Sequence, residues 1–350
     1  MLGHRSFIPG ISFLWIRKQS VMPWYQDLLI ISSKIKMKSD YSRRKFLNQG
    51  AHFLGAAGVG GVLSPLSTGV IAQPLEAEIT QVELGYAWVL QGAGCNVFTI
   101  PGMNENGALM IDGGLAQYSD ALLDAVYNTI GQDRIHTLIN THWHPEQTGS
   151  NEHLGAQGAE IIAHEKTAMF LKNSVMSSLY EGRYGPLADA GLPTKTISNS
   201  GTIKFAGQEI IYGYLPAAHS DSDIFLYFPM LDTLVAGGPV TSGQWPILDI
   251  RHGSWMGGLL KAYETLSSVV SSDTVVVPAH GPIISGTEIL RMRAMYTNLH
   301  LDLAEQLNLG MGPKDIVNMG MLDQYIDDFG DPTEFLDHAH RSLQQAYVPD

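Results

Sequence analysis

A single cysteine, Cys95, stands in 350 residues, so no disulfide can form within the chain even in an oxidising compartment. It reads as a small buried strand residue. Charge is scarce at 16%, while hydrophobic residues make up 45%. That balance excludes a disordered chain and supplies the core of one large α/β domain with appendages. Basic residues are few, 21 Lys/Arg against 34 Asp/Glu, and they are unevenly spread. Residues 1–72 hold nine Lys/Arg and two Asp/Glu, which leaves twelve against 32 for residues 73–350. An acidic body of this kind lacks the basic patches that nucleic acids or anionic membranes require. The Gly/Ala-rich run from Ala51 to Val62 is weakly apolar and is followed by Pro65. It makes a poor membrane span, which needs about 20 apolar residues.

The basic N-terminal segment has a different character. Ser42-Arg43-Arg44-Lys45-Phe46-Leu47 precedes the Ala51 to Val62 run, with small residues near Ala72. The pattern resembles a twin-arginine export signal over residues 37–72, which implies a periplasmic or secreted mature protein without a stable membrane span. Met37 is a natural start for such a signal, so residues 1–36 are expected to be an upstream extension outside the fold.

In the body, Gln81 to Leu90, Asn96 to Ile100 and Ala108 to Ile111 are β-branched and aromatic runs between Gly/Asn/Pro turns, predicting an antiparallel meander. Ala121, Leu122, Ala125, Val126 and Ile130 recur at helical spacing ahead of a strand at 137–140. A strand at 160–163 follows, ending on His164. From Asn173 to Pro193 the pattern lapses, as in a functional lid or an insert. A second run of strands begins near 196, the halves dividing near 195: Ile203 to Phe205, Glu209 to Leu215, Ile224 to Phe228, Thr233 to Ala236 and Thr274 to Val277. A helix over 255–270 interrupts it, and a long helix over 287–309 opens a helical C-terminal part, residues 291–350. Its Met and Leu residues are packing residues.

Thr141-His142-Trp143-His144-Pro145-Glu146-Gln147 follows the strand at 137–140. Two histidines two apart at a strand end can turn both imidazoles to one point, as a metal with nitrogen ligands at about 2.0–2.1 Å requires. His219 and His280 each follow a later predicted strand, so the histidines lie along one predicted sheet rim.

These residues resemble the metallo-β-lactamase superfamily, whose motif runs His-x-His-x-Asp-His, then a third His, a bridging Asp and a last His. The likeness covers most of residues 78–290. It implies an αββα sandwich of two mixed β-sheets with outer helices, here with a C-terminal helical extension. It also implies His142, His144 and His219 as zinc ligands, and Asp112 as the outer support of a metal-bound His. Three positions depart from the family: Glu146 stands for Asp, Gln147 for His, and Gly238 for the bridging Asp. A second metal site would retain only Glu146, Gln147 and His280, and Gln147 is a poor donor, so one zinc ion is expected rather than two. Changing Glu146, Gln147 and Gly238 together to Asp, His and Asp should raise zinc content toward two, if the scaffold keeps family geometry.

The expected function is that of an exported hydrolase. It would activate water on an ester, thioester, lactone or amide-type bond of a small-molecule substrate, with Glu146 and His280 as catalytic residues. The alternative is a non-catalytic binding protein on a degenerate scaffold.

Overall fold

Side-chain alternation sorts the strands into layers. The computed structural model describes residues 78–103, 106–176 and 182–347, so the predicted extension (1–36) and export signal (37–72) lie outside the described residues. Strands β1 (Thr80–Glu83), β2 (Trp88–Gln91), β3 (Val97–Ile100) and β4 (Ala108–Ile111) form the antiparallel meander. The expected single strand at 81–90 is a hairpin, turned at Gly85 with φ 70°. In β4, Ala108 and Met110 enter one core while Leu109 and Ile111 enter another, so a period of two appears inside a continuous apolar run.

Helix α1 (Ser119–Ile130) packs Leu122, Leu123 and Val126 on the outer face of this sheet and ends at Gly131, φ 65°. It leads to β5 (Ile135–Asn140), which joins β4 in parallel. Short helices α2 (Pro145–Thr148) and α3 (Asn151–Ala156) precede β6 (Glu160–His164), and α4 (Glu165–Leu171) follows it. In the region predicted as a lid lie a small hairpin, β7 (Val175–Met176) with β8 (Arg183–Tyr184), and a turn of 3-10 helix at 189–191. β9 (Lys195–Ile197) still pairs with β6, so the first sheet closes in the order β1-β2-β3-β4-β5-β6-β9.

The second sheet takes β10 (Ser200–Phe205), β11 (Gln208–Leu215), β12 (Asp223–Phe228), β13 (Thr233–Thr241), β14 (Val275–His280) and β15 (Ile284–Ser285) in sequence order. All neighbours are antiparallel except β13 and β14. Between the sheets lie Phe98, Ile100, Ile111, Ile139, Leu226, Phe228, Val235 and Val277. Phe98 and Phe228 meet there at 4.8 Å between centroids. Removing either ring should cost about 3–5 kcal/mol. Helix α5 (Met256–Val269), α6 (Gly286–Asn308), α7 (Pro313–Asn318), α8 (Ile326–Phe329) and α9 (Thr333–Tyr347) build a third core on the outer face of the second sheet. The result is the αββα sandwich with a helical C-terminal extension. No helix among the described residues is long and apolar enough to cross a membrane.

Candidate metal centre

Both sheets deliver histidines to one rim. His142 and His144 sit in the turn after β5, where Pro145 starts α2. Proline at the first helical position costs no backbone hydrogen bond there. His219 lies in the β11–β12 connection, shaped by the Asp223 carboxylate, which accepts from the backbone N–H of His219 (2.9 Å) and Ser220 (2.6 Å). The three rings stand edge-on to one another with centroids 4.7–4.8 Å apart, and one ligand atom from each lies within 4.8 Å of the others. All three are buried. Burial first, then the neighbouring imidazoles, holds His142 well below the usual imidazole range and His219 at about 3, so both are neutral at pH 7.

The outer nitrogens settle which lone pairs face inward. His219 Nδ1 lies 2.6 Å from the Ile247 carbonyl, which can only accept, so Nε2 carries the lone pair. His144 Nε2 donates to Asp249 Oδ2 at 3.0 Å, leaving the lone pair on Nδ1. These two inner atoms face each other at 3.0 Å. Two lone pairs at that distance repel unless a cation or proton lies between them, and tetrahedral zinc would separate them by about 3.3–3.4 Å. The Thr141 hydroxyl donates to Asp112 Oδ2 (2.8 Å), so toward His142 Nδ1 (3.0 Å) it is the acceptor. His142 Nε2, buried, has no partner among the described residues. Asp112, Glu146, Asp223 and Asp249 surround the histidines, all at most 3% exposed. Burial raises the Asp112 and Asp223 carboxyls, and a cation held by the histidines would favour their charged forms. The residues present therefore fit a zinc ion on three imidazoles.

The predicted second site is built differently. Glu146 Oε1 lies 3.9 Å from His144 Nδ1 and 3.9 Å from His280 Nε2, between the three-histidine centre and the last histidine. His280 ends β14, and the β2–β3 connection clamps that end: Asn96 Nδ2 donates to the carbonyls of Pro278 and Gly281, both at 2.9 Å, and Gln91 Nε2 also donates to Gly281 at 2.9 Å. Burial lowers the His280 pKa, and the Glu146 charge opposes that. The Gln147 amide is buried, and neither end has a hydrogen-bond partner among the described residues. At Gly238 an added Cβ would fall 2.2 Å from His219 Cδ2 and 2.9 Å from its Nε2. The His219 ring thus lies against the backbone at position 238.

Asp112 supports His142 through Thr141 rather than by direct contact: its Oδ1 accepts the Thr141 backbone N–H at 2.7 Å. Burial pushes its carboxyl up to about 8, Thr141 partly opposing. His164 caps α4 by accepting from the Lys166 backbone N–H and stacks on Tyr214 at 4.0 Å, a structural role. Cys95 is buried in the β2–β3 turn rather than in a strand. Burial, then the Asp112 charge, pushes its thiol up.

Asp249 and the Ile247 carbonyl escaped the sequence reading. Asp249 is fully buried, and it also holds His252 Nδ1 at 2.8 Å. The available signal was an acid three residues before a histidine, after the apolar Pro246-Ile247-Leu248.

The profile of the metallo-beta-lactamase superfamily matches residues 91–280, and the chain belongs to that superfamily, whose members are typically hydrolases. The fold is similar to a metallo-beta-lactamase from Pontibacter korlensis at 21% identity and TM-score 0.51, over 64% of this chain and 100% of that one. It is also similar to a double mutant of the sec-alkyl sulfatase PisA1 at 15% identity and TM-score 0.55, over 78% of this chain and 50% of that one. A third likeness is DIM-1 metallo-beta-lactamase exposed to ceftazidime, at 18% identity and TM-score 0.50, over 65% of this chain and 99% of that one. Identities this low carry the fold alone. No curated protein matches the chain.

Proposed function

We propose that the chain is a hydrolase holding one zinc ion on His142, His144 and His219, and that Glu146 handles the proton of the attacking water. The observation that carries this reading is the set of three imidazole lone pairs turned to one point by partners on their outer nitrogens. Zinc bound there supplies a Lewis acid and brings the pKa of water to about 7. Glu146 accepts a proton at Oε1, beside the histidine centre. His280 Nε2, 3.9 Å further on, is the next station for that proton on its way to a leaving group, a gap that one water or a small side-chain shift closes. Asp112, Asp249 and the Ile247 carbonyl keep the three rings in the binding tautomer.

Single occupancy follows from the chemistry at two of the altered positions, an amide at 147 and no side chain at 238, where the His219 ring lies against the backbone. The substrate class is an ester, thioester, lactone or amide-type bond, and the likeness to a sulfatase adds alkyl sulfates to the compounds to test. The same losses at 147 and 238 favour the second reading, a non-catalytic binding protein. Metal analysis of purified protein with hydrolysis assays on lactone, thioester, β-lactam and alkyl sulfate panels separates the two. About one zinc per chain with turnover supports the hydrolase; zinc with no turnover on any panel favours the binding protein. We further propose export to the periplasm or beyond, resting on the Arg43-Arg44 pair ahead of a weakly apolar run.

A further inference from the structure

Two of the three histidines are oriented by one stretch of chain, residues 245–256, between β13 and α5. Its Ile247 carbonyl holds His219 Nδ1 and its Asp249 carboxylate holds His144 Nε2, while the Asp249 backbone N–H donates to the His219 carbonyl at 3.0 Å. Its regular structure is one turn of 3-10 helix at 250–252, with the His252 and Ser254 N–H groups donating to the Asp249 carbonyl at 2.9 and 3.1 Å. Its far end is tied to the β11–β12 connection, where Ser254 Oγ donates to the Ala218 carbonyl at 2.6 Å and the Trp255 N–H to the Ala217 carbonyl at 3.2 Å, and both ends are tied in addition to the C-terminal helices. At one end the Trp245 ring, 8% exposed, stacks on Phe335 (5.0 Å between centroids, 13° between planes) and packs against Phe329 at 4.7 Å. Its indole N–H donates to the Gly330 carbonyl at 3.0 Å. At the other end the Met256 backbone N–H, which starts α5 and has no partner within that helix, donates to Ser342 Oγ on α9 at 3.0 Å. Residues 329–342 therefore contact both ends of the segment that orients His144 and His219, alongside the β11–β12 connection at one of them, although they lie beyond the span that matches the superfamily profile.

We infer that the C-terminal helices are a brace for the metal centre, with Trp245 and Ser342 as positioning residues that set zinc affinity from outside the ligand shell. The inference rests on the zinc reading of the three histidines. A ligand site tolerates misplacement of only about 0.2 Å in its distances. Direct outer partners of metal-bound histidines are worth about 10–100-fold in affinity, and a brace one layer further out belongs at the lower end of that range.

The test compares the full chain with Trp245→Ala, Trp245→Phe, Ser342→Ala and a control, Leu303→Ala, buried in the same core on α6. Zinc affinity is measured by competition with a chromophoric chelator, cobalt-substituted protein by its visible spectrum, and folding by thermal unfolding of the zinc-free form. Trp245→Ala should weaken zinc about 10-fold and alter the cobalt bands. Trp245→Phe, which keeps the stack but loses the hydrogen bond, should recover most of the affinity, and Ser342→Ala should lose several-fold. Leu303→Ala should lower the unfolding temperature yet leave zinc affinity within about twofold. Parent-like affinity in folded Trp245→Ala overturns the inference; if that variant does not fold, parent-like affinity in Ser342→Ala does so. Equal weakening by Leu303→Ala also overturns it, since the effect would then be general destabilisation. A parent chain that binds no zinc overturns the zinc reading itself, and the brace with it.

Discussion

Replacing Gly238 by alanine is the smallest change that tests the centre's geometry. The added Cβ would lie 2.2 Å from His219 Cδ2, 2.7 Å from Cγ and 2.9 Å from Nε2, where ordinary contacts begin near 3.4 Å. The ring must therefore retreat by more than 1 Å. It has no free rotation by which to do so, because Nδ1 is tied to the Ile247 carbonyl at 2.6 Å and the residue is only 4% exposed. A retreat of that size takes one of three ligands out of reach. The cost in zinc affinity should exceed the roughly 100-fold upper figure for losing an outer partner, since here the ligand itself is displaced. Aspartate at the same position should do no better, and restoring the family carboxylate should empty the centre rather than add a second ion. The assay is zinc affinity by chelator competition with metal content after dialysis. Zinc binding by Gly238→Ala within about threefold of the parent would refute the placement of His219.

Glu146→Gln keeps size and removes basicity; it should lower turnover by about 10²–10⁴-fold with zinc content unchanged, and a substrate cleaved equally by both forms would remove Glu146 from the mechanism. The zinc-free protein should lose stability as pH falls from about 6.5 toward 3. His219 sits at about 3 when folded and nearer 6.5 unfolded, so protons favour the unfolded chain across that window by up to about 1.4 kcal/mol per pH unit. Asp112 has the opposite sign: raised to about 8, its contribution is full below about 4 and is lost as pH rises through 8. In unfolding scans between pH 7 and 8.5, Asp112→Asn should therefore show a smaller decline than the parent, and identical slopes would contradict the assignment. Replacing Arg43 and Arg44 together with lysine should leave precursor in the cytoplasm, and normal periplasmic delivery of that variant would remove the export proposal.

What the sequence determined by itself depends on neighbours along the chain. Short runs such as Ala108–Ile111 announced strands because turn residues bound them on both sides, although the face of each residue appeared only in the fold. The His142-x-His144 pair at the end of β5 announced a nitrogen-ligand site because strand ends project adjacent side chains to one rim, and the later histidines followed the family's order. Tertiary structure alone decided the rest, because the partners are remote. His144 meets His219 across 75 residues and Asp249 across 105, so no local pattern could say which nitrogen of either ring faces inward. The meaning of Gly238 also changed: in the sequence it was a missing carboxylate, whereas in the fold its backbone is where the His219 ring rests. The reach of Trp245 to Gly330, 85 residues away, belongs with these, since an apolar loop residue becomes an anchor only when the C-terminal helices have packed on the second sheet.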